Sequence, residues 1–404
     1  MMNKIPKGWE VKKLGEIFNI VTGKTPSKKI REYFNGNIPF VKPSDLGLSD
    51  YIENSEDTLT QDGFKKAPFI PKNSVLVSCI GNLGKKAILK QNGSCNQQIN
   101  AILPNSNFDM KFVFYYIDII KPWMEQNASA TTISILNKSR FEQMPFIYPN
   151  LVEQKTIVYK LDDSFAKIEN AITNLINAKE NLKLYKQSVL KSAFNGDLLP
   201  NTSPTHWEVK KLGEICEKIG DGLHGTPSYN DDGEYFFING RNISYPYLII
   251  NNNVKRLSSD EALKYKKDFN THTIFVSING TLGNIGFYNN EKIILGKSVC
   301  YLNLKDNVNK YYIFFNLKSN EFLNYANLKA TGSTIKNVSL QAMRNFEIPL
   351  PPLSEQNLIV AEIDRRFAIV DKTLNLIDKS IQNAKNLKQS ILKKAFSGEL
   401  RSEI

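Results

Sequence analysis

The sequence predicts a mixed α/β (α+β) protein: two globular heads, each followed by a long helix, the two helices pairing as an antiparallel coiled coil in a tandem repeat with pseudo-twofold symmetry. Three observations lead there. Trp9-Glu10-Val11-Lys12-Lys13-Leu14-Gly15-Glu16-Ile17 returns letter for letter as Trp207 to Ile215. Lys186 to Leu198 returns, nearly unchanged, as Lys388 to Leu400. Between these marks, Val152 to Leu198 aligns without a gap onto Ser354 to Leu400, always 202 positions on and with eighteen identities, whereas earlier stretches agree only in islands whose offset drifts from 199 to 202. A unit of about 200 residues, rigid at its end and variable before it, is used twice.

The first head spans 1–150. Gly36 to Val41 and Ser74 to Ile80 are runs rich in β-branched and aromatic residues, and both read as strands. Gly81-Asn82-Leu83-Gly84 is a hairpin-like turn after the second run, and Lys111 to Ile120, crowded with Tyr and Phe, is a short helix. A long helix follows at 151–197. It holds no Gly or Pro from Leu151 to Asn195, Pro149 stands before it and Gly196 after it. At 1.5 Å per residue it would run about 65 Å. Leu161, Ile168, Leu175, Leu182 and Val189 recur every seventh position, with Phe165 and Ile172 beside them, which is a coiled-coil seam.

A linker at 198–204 carries Pro200 and Pro204. The second head, 205–350, repeats the strands as Gly233 to Ile238 and Thr273 to Ile278, the turn as Gly280 to Gly283 and the helix as Lys310 to Asn316. The second long helix, 351–398, has its seam at Ile363, Val370, Ile377, Ala384 and Ile391, flanked by Phe367, Leu374 and Ile381. A seam this long needs a partner helix, and the other copy is the nearest; the alternative is that each helix packs on its own head. Antiparallel pairing would carry the heads to opposite ends.

Composition narrows the function. A formal net charge of +12 and a pI near 9.2 favour a polyanionic partner, and 41% apolar with 23% charged residues fits a soluble protein expected in the cytoplasm. No run approaches the ~18 apolar residues of a membrane span, so no membrane partner is expected. Cys79, Cys95, Cys216 and Cys300 lack metal spacing, and His206, His224 and His272 add too few ligands for a zinc site. Thr22-Gly23-Lys24-Thr25 imitates a phosphate-binding loop, but the first glycine of that motif would fall at Phe18. Pro43-Ser44-Asp45 with Glu153-Gln154-Lys155 imitates a nuclease set, yet the lysine becomes Asn357 in the second copy, and Glu153 is read as a helix-capping residue. No methyltransferase motif is present. The chain is expected to catalyse nothing alone and to carry no cofactor or metal.

The duplicated openings, the starts Leu151-Val152-Glu153-Gln154 and Leu353-Ser354-Glu355-Gln356, and the closing runs at Lys186 and Lys388 resemble the specificity subunit of type I restriction-modification systems along the whole chain. The Pro349-Leu350-Pro351-Pro352-Leu353 form is the most familiar of these, and the first copy departs from it at Ile147-Tyr148-Pro149-Asn150-Leu151. The resemblance implies that the heads are target recognition domains, each reading one half of a split, asymmetric site in double-stranded DNA, while the helices act as spacers. It also implies two modification (methyltransferase) subunits as partners, with restriction subunits able to join. S-adenosylmethionine, ATP and Mg2+ would sit on those partners. The alternative is a coiled-coil scaffold that binds no particular sequence.

Base reading would then come from polar loops at matching places in both copies. In the first head the candidates are Lys24, Thr25, Ser27, Lys42, Ser44, Asn82, Lys85, Lys86, Asn96, Gln97, Gln98, Thr131 and Thr132. In the second they are His224, Thr226, Ser228, Asn239, Arg241, Asn242, Asn279, Thr281, Lys297, Ser333 and Thr334. Lys42 set against Arg241, and Gln97 against Lys297, are taken as positions where the two half-sites would be told apart.

Overall fold

The structure, a computed structural model, describes residues 5–129, 132–200, 204–332 and 334–400. Thr131, Ser333 and part of the expected linker at 198–204 lie outside the described residues. The chain divides into two compact units, one formed by Met1–Leu175 with Lys379–Ile404 and the other by Ile176–Asp378.

In the first unit the repeated opening is a strap. Strand Glu10–Lys13 pairs antiparallel with Pro145–Tyr148, and the Leu14 N–H donates to the Met144 carbonyl at 2.9 Å. The strap thus ties the start of the head to its end. Five strands form the main sheet in the order Ile20–Thr22, Ile99–Ile102, Val75–Ser78, Lys86–Leu89, Tyr51–Ile52, and a smaller sheet orders Thr58–Leu59, Phe34–Val41, Ser94–Cys95. Side chains alternate across a strand. Val75, Val77, Ile88 and Ile102 therefore join one core, shared with the helix Met110–Asn127, while Leu76, Ala87, Leu89, Ile99 and Ala101 join a second core on the opposite face. A sheet covered on both faces explains why Ser74 to Ile80 reads as an unbroken apolar run.

The second unit repeats this plan. Glu208–Lys211 pairs with Glu347–Leu350, the main sheet orders Cys216–Asp221, Val299–Leu304, Thr273–Ser277, Ile285–Phe287, and the smaller sheet orders Arg256–Leu257, Tyr235–Ile238, Ile293–Leu295. The short helices expected in the heads differ between copies. In the first, the helix continues through Pro122 to Asn127, because a face of buried residues from Phe112 to Met124 outweighs the missing N–H donor. In the second it stops at Leu317, and Ser319 caps a separate helix, Asn320–Lys329, by accepting from the Phe322 N–H.

The long helices run Leu151–Phe194 and Leu353–Ser397. Each starts against its own head. In the first unit Gln154, buried, accepts from the Asp109 N–H at 3.0 Å and donates to the Pro149 carbonyl at 2.8 Å; in the second, Gln356 makes the same two bonds with Asn309 and Pro351, each at 2.8 Å. Glu153 is the acidic residue of the first helical turn, as expected, and its carboxylate also accepts from the Trp9 indole, while the Asn150 side chain accepts from the Glu153 N–H.

Each unit also contains the far end of the other copy's helix. Leu392, Ala395 and Phe396 enter the first head's core, with Phe396 4.9 Å from the Phe112 ring, while Leu190 and Ala193 enter the second head's core and Phe194 packs on Tyr312 at 5.4 Å. Within each unit the helices run antiparallel. In the second, Lys179 pairs with Asp378 and Lys186 with Asp371, both at 2.6 Å, so seven steps forward on one helix match seven backward on the other. The equivalent of the latter pair in the first unit is Lys388 with Glu169, also at 2.6 Å. Of the seam residues, Leu161, Phe165, Ile168, Val189, Ile363, Val370 and Ile377 are buried, and Ile172, Leu175, Leu182, Phe367, Leu374, Ile381 and Ile391 half-buried. The helices thus pack both on their own heads and on each other.

Candidate nucleic-acid interface

In the first head, backbone bonds gather five turns along one edge. The Lys24 N–H donates to the Cys95 carbonyl and the Asn96 N–H to the Val41 carbonyl, each at 3.0 Å, so the turns at 23–27, 42–45 and 95–98 meet. The Cys79 N–H donates to the Gln98 carbonyl and the Gly81 N–H to the Ser134 carbonyl, each at 2.8 Å, which adds the turns at 79–84 and 132–136. Gly23 allows the approach, because a Cβ there would lie 2.0 Å from the Asn96 carbonyl oxygen. Gly81 and Gly84 both hold positive φ, the geometry of a tight turn between Val75–Ser78 and Lys86–Leu89, as the glycine spacing implied.

The second head builds the same edge. The Leu223 N–H donates to the Leu295 carbonyl at 2.7 Å, the Gly296 N–H to the Ile238 carbonyl at 2.8 Å, the Ile278 N–H to the Ser298 carbonyl at 3.0 Å and the Gly280 N–H to the Lys336 carbonyl at 2.9 Å. This correspondence changes one pairing expected from sequence. Asn96 on Val41 matches Gly296 on Ile238, so Lys42 corresponds to Asn239 and Ser44 to Arg241, not Lys42 to Arg241. The turns agree in detail, since Asp45 accepts from the Lys42 N–H at 2.7 Å and Asn242 from the Asn239 N–H at 3.0 Å. Gln97 and Lys297 do correspond.

Most candidate side chains lie on these edges with accessible polar groups. Lys24, Ser27, Ser44, Asn82, Gln97 and Thr132 are exposed in the first head, as are His224, Thr226, Ser228, Arg241, Thr281, Lys297 and Thr334 in the second. Thr25, Lys42, Lys85, Gln98, Asn239 and Asn279 are half-buried. Thr25 donates its hydroxyl to Gln97 at 2.7 Å, and Lys42 pairs with Asp57. His224 contacts Asp221 at 2.7 Å and Asn279 donates to Asn337 at 3.1 Å. Asn239 and Arg241 open onto a concavity of about 300 Å³ that Tyr229, Asn251, Asn253 and Lys255 also line. Those four were not among the expected residues; they stand in segments whose only signal was polarity in an unpatterned loop.

Three candidates are corrected. Lys86 is buried with its ammonium 2.6 Å from Asp118 and 4.2 Å above the Phe114 ring, on the strand rather than the turn, so it faces the helix layer and offers nothing to a ligand at the edge. Burial lowers its pKa to about 8 in spite of Asp118. Asn96 is buried and spends its amide on Gln98, its Oδ1 accepting the Gln98 N–H. Asn242 is buried and holds Asn239 and the Ile249 carbonyl. Both asparagines shape turns. All four cysteines are buried, and burial pushes the thiols of Cys79 and Cys216 up to about 12, which leaves little thiolate at neutral pH. No helix among the described residues is long and apolar enough to cross a membrane.

Comparison with known proteins agrees with this plan. The model of the type I restriction modification DNA specificity domain matches twice, at residues 6–178 and 204–384. The chain is 26% identical to the type I restriction enzyme MjaIX specificity subunit of Methanocaldococcus jannaschii, over 100% of this chain and 96% of that protein. It is 24% identical to the EcoKI specificity subunit of Escherichia coli K12, over 99% of this chain and 91% of that one. Among solved structures, a chain from work on complex assembly and conformational transition of the type I R-M system superposes with a TM-score of 0.74 at 20% identity, covering 97% of this chain and 98% of that one. The HsdS subunit from Thermoanaerobacter tengcongensis superposes with a TM-score of 0.61 at 20% identity, covering 98% of each.

Proposed function

Since the chain belongs to the type I restriction modification DNA specificity family, with a role in DNA sequence specificity, we propose that each of its heads reads one half of a bipartite, asymmetric DNA site. The observation that carries this reading is the pair of edges. Their backbones share the four cross-edge bonds described above, yet Lys42 stands where Asn239 does, Ser44 where Arg241 does and Gln97 where Lys297 does. One frame presenting different donors and acceptors suits two different half-sites, since Arg favours guanine and Asn or Gln favours adenine in the major groove. Lysines at the rim supply phosphate contacts and set the salt dependence.

The chain itself is proposed to be non-catalytic. Two modification subunits would take their places on the repeated elements, one per copy, bringing S-adenosylmethionine, and restriction subunits would bring ATP and Mg2+ chemistry. The exposed apolar side chains Val152, Tyr159 and Leu184 on the first long helix, and Leu358, Ile369 and Leu376 on the second, offer surface for partner helices. Methylome sequencing of a host expressing this chain with a modification subunit tests the reading. A split, asymmetric motif that needs both proteins is expected; methylation of a palindrome would overturn the two-reader assignment, and none despite a stable complex would favour a scaffold without sequence preference.

A further inference from the structure

The two heads carry opposite charge at one turn of this edge. After the shared Thr-Pro-Ser, the first head continues Lys28-Lys29-Ile30-Arg31-Glu32-Tyr33 and the second Tyr229-Asn230-Asp231-Asp232, before Gly36 and Gly233 bring both chains to the same place against Leu59 and Leu257. In the first head the turn is fixed at both ends. Pro26 is buried, the Ile30 N–H donates to the Ser27 carbonyl at 3.1 Å and the Tyr33 N–H to the Ile30 carbonyl at 3.3 Å. Thr60 then holds the far side, its hydroxyl donating to the Glu32 carbonyl at 2.8 Å and its N–H to the Tyr33 carbonyl at 3.1 Å.

The near end starts two residues after Thr25, which is bonded to Gln97 on the edge. Lys28, Lys29 and Arg31 are exposed, and with Lys24 they are four cations in eight residues with no carboxylate at ion-pair distance among the described residues. Glu32 is the one opposing charge in the turn. The second head offers Asp231 and Asp232 at this place, both exposed, and its nearby Glu234 is matched by Lys292 at 2.6 Å.

We infer that the heads divide the work of holding DNA unequally: the turn at 28–31 is a phosphate-contacting arm of the first head, and the corresponding turn of the second is kept away from the backbone by its own charge. This rests on the DNA-reading function proposed above. The first head would therefore carry most of the salt-sensitive share of binding at this position, and the second would depend more on base contacts around Arg241. Every phosphate neutralised contributes about 0.9 to the slope of log affinity against log salt.

The test uses the full-length chain, binding measured by fluorescence anisotropy from 50 to 300 mM NaCl on a duplex carrying the methylated motif and on a scrambled duplex. Lys28→Ala/Lys29→Ala/Arg31→Ala should flatten the salt slope by about 2 to 3 on both duplexes while preserving the ratio between them. Asp231→Lys/Asp232→Lys should steepen it by about 1 to 2. Thermal melts of each variant matching the unaltered chain establish that these changes are not folding losses. An unchanged slope in the triple variant, with the preference for the motif intact, would overturn the arm and leave the reading function standing. No preference between the duplexes in the unaltered chain would overturn the reading function itself, and the arm with it.

Discussion

The indole N–H of Trp9 donates to the Glu153 carboxylate at 3.0 Å, and the indole N–H of Trp207 donates to Glu355 at 3.2 Å. The most conspicuous letter of the repeated opening and the most conspicuous letter of the helix start are thus two ends of one bond, made in both copies. A hydrogen bond to an ionised group contributes about 1.5 to 3 kcal/mol.

Replacing Glu153 by Ala should therefore lower the unfolding free energy of the first unit by about 1 to 3 kcal/mol, since Trp9 is buried and its N–H would lose a charged partner. Denaturant unfolding followed by tryptophan fluorescence measures this. A loss below about 0.5 kcal/mol would mean that strand pairing and packing hold the strap without this bond.

Lys86→Ile should stabilise the protein. The buried ammonium titrates near 8 when folded against an ordinary 10.5, so below about 8 its burial cost is fully present, and between 8 and 10.5 the unfolded chain binds the extra proton and the cost fades as pH rises. The second head already holds Ile285 at the matching strand position. Melting at pH 7 should show a gain of about 1 to 3 kcal/mol that shrinks by pH 10. Motif recognition should be unaffected, and a loss at pH 7 would show that the Asp118 pair outweighs desolvation.

Phe396→Ala should cost about 3 to 5 kcal/mol, because the ring is fully buried against Phe112 and Tyr116. Leu387→Ala, on a half-exposed position of the same helix, should cost under about 1 kcal/mol. Comparing the two melting shifts separates loss of head packing from loss of helix.

Arg241→Ala should relax recognition at one position of one half-site, worth about 1 to 3 kcal/mol of discrimination, whereas Lys85→Ala should weaken all sequences alike. Methylome motifs of the variants distinguish these. Equal loss on specific and random DNA for Arg241→Ala would remove it from base reading.

What could be read from the sequence was whatever repeats at fixed spacing. The long helices, the seam from Leu161 to Val189 and the glycine turns were visible because each is a periodic or steric requirement. The swap of helix ends was not, since Leu392 and Phe396 look like ordinary apolar residues until the antiparallel register brings them to the first head. Lys86 misled because it adjoins Lys85, yet one step along a strand turns a side chain to the opposite face; Ile285 in the other copy was the available signal. Aligning Lys42 with Arg241 failed for a different reason. The loops had changed length, and only the bonds to Val41 and Ile238 restore the register.

The first unit takes in the chain from Lys379 to Leu400, while every residue of the second lies between 176 and 378. During synthesis the head made first cannot complete its core until Leu392 to Phe396 have been translated. The head made second has Leu190 and Ala193 already in hand when its own sheets emerge. A ribosome that stops short of Leu392 would release a protein with a finished second head and an open first one.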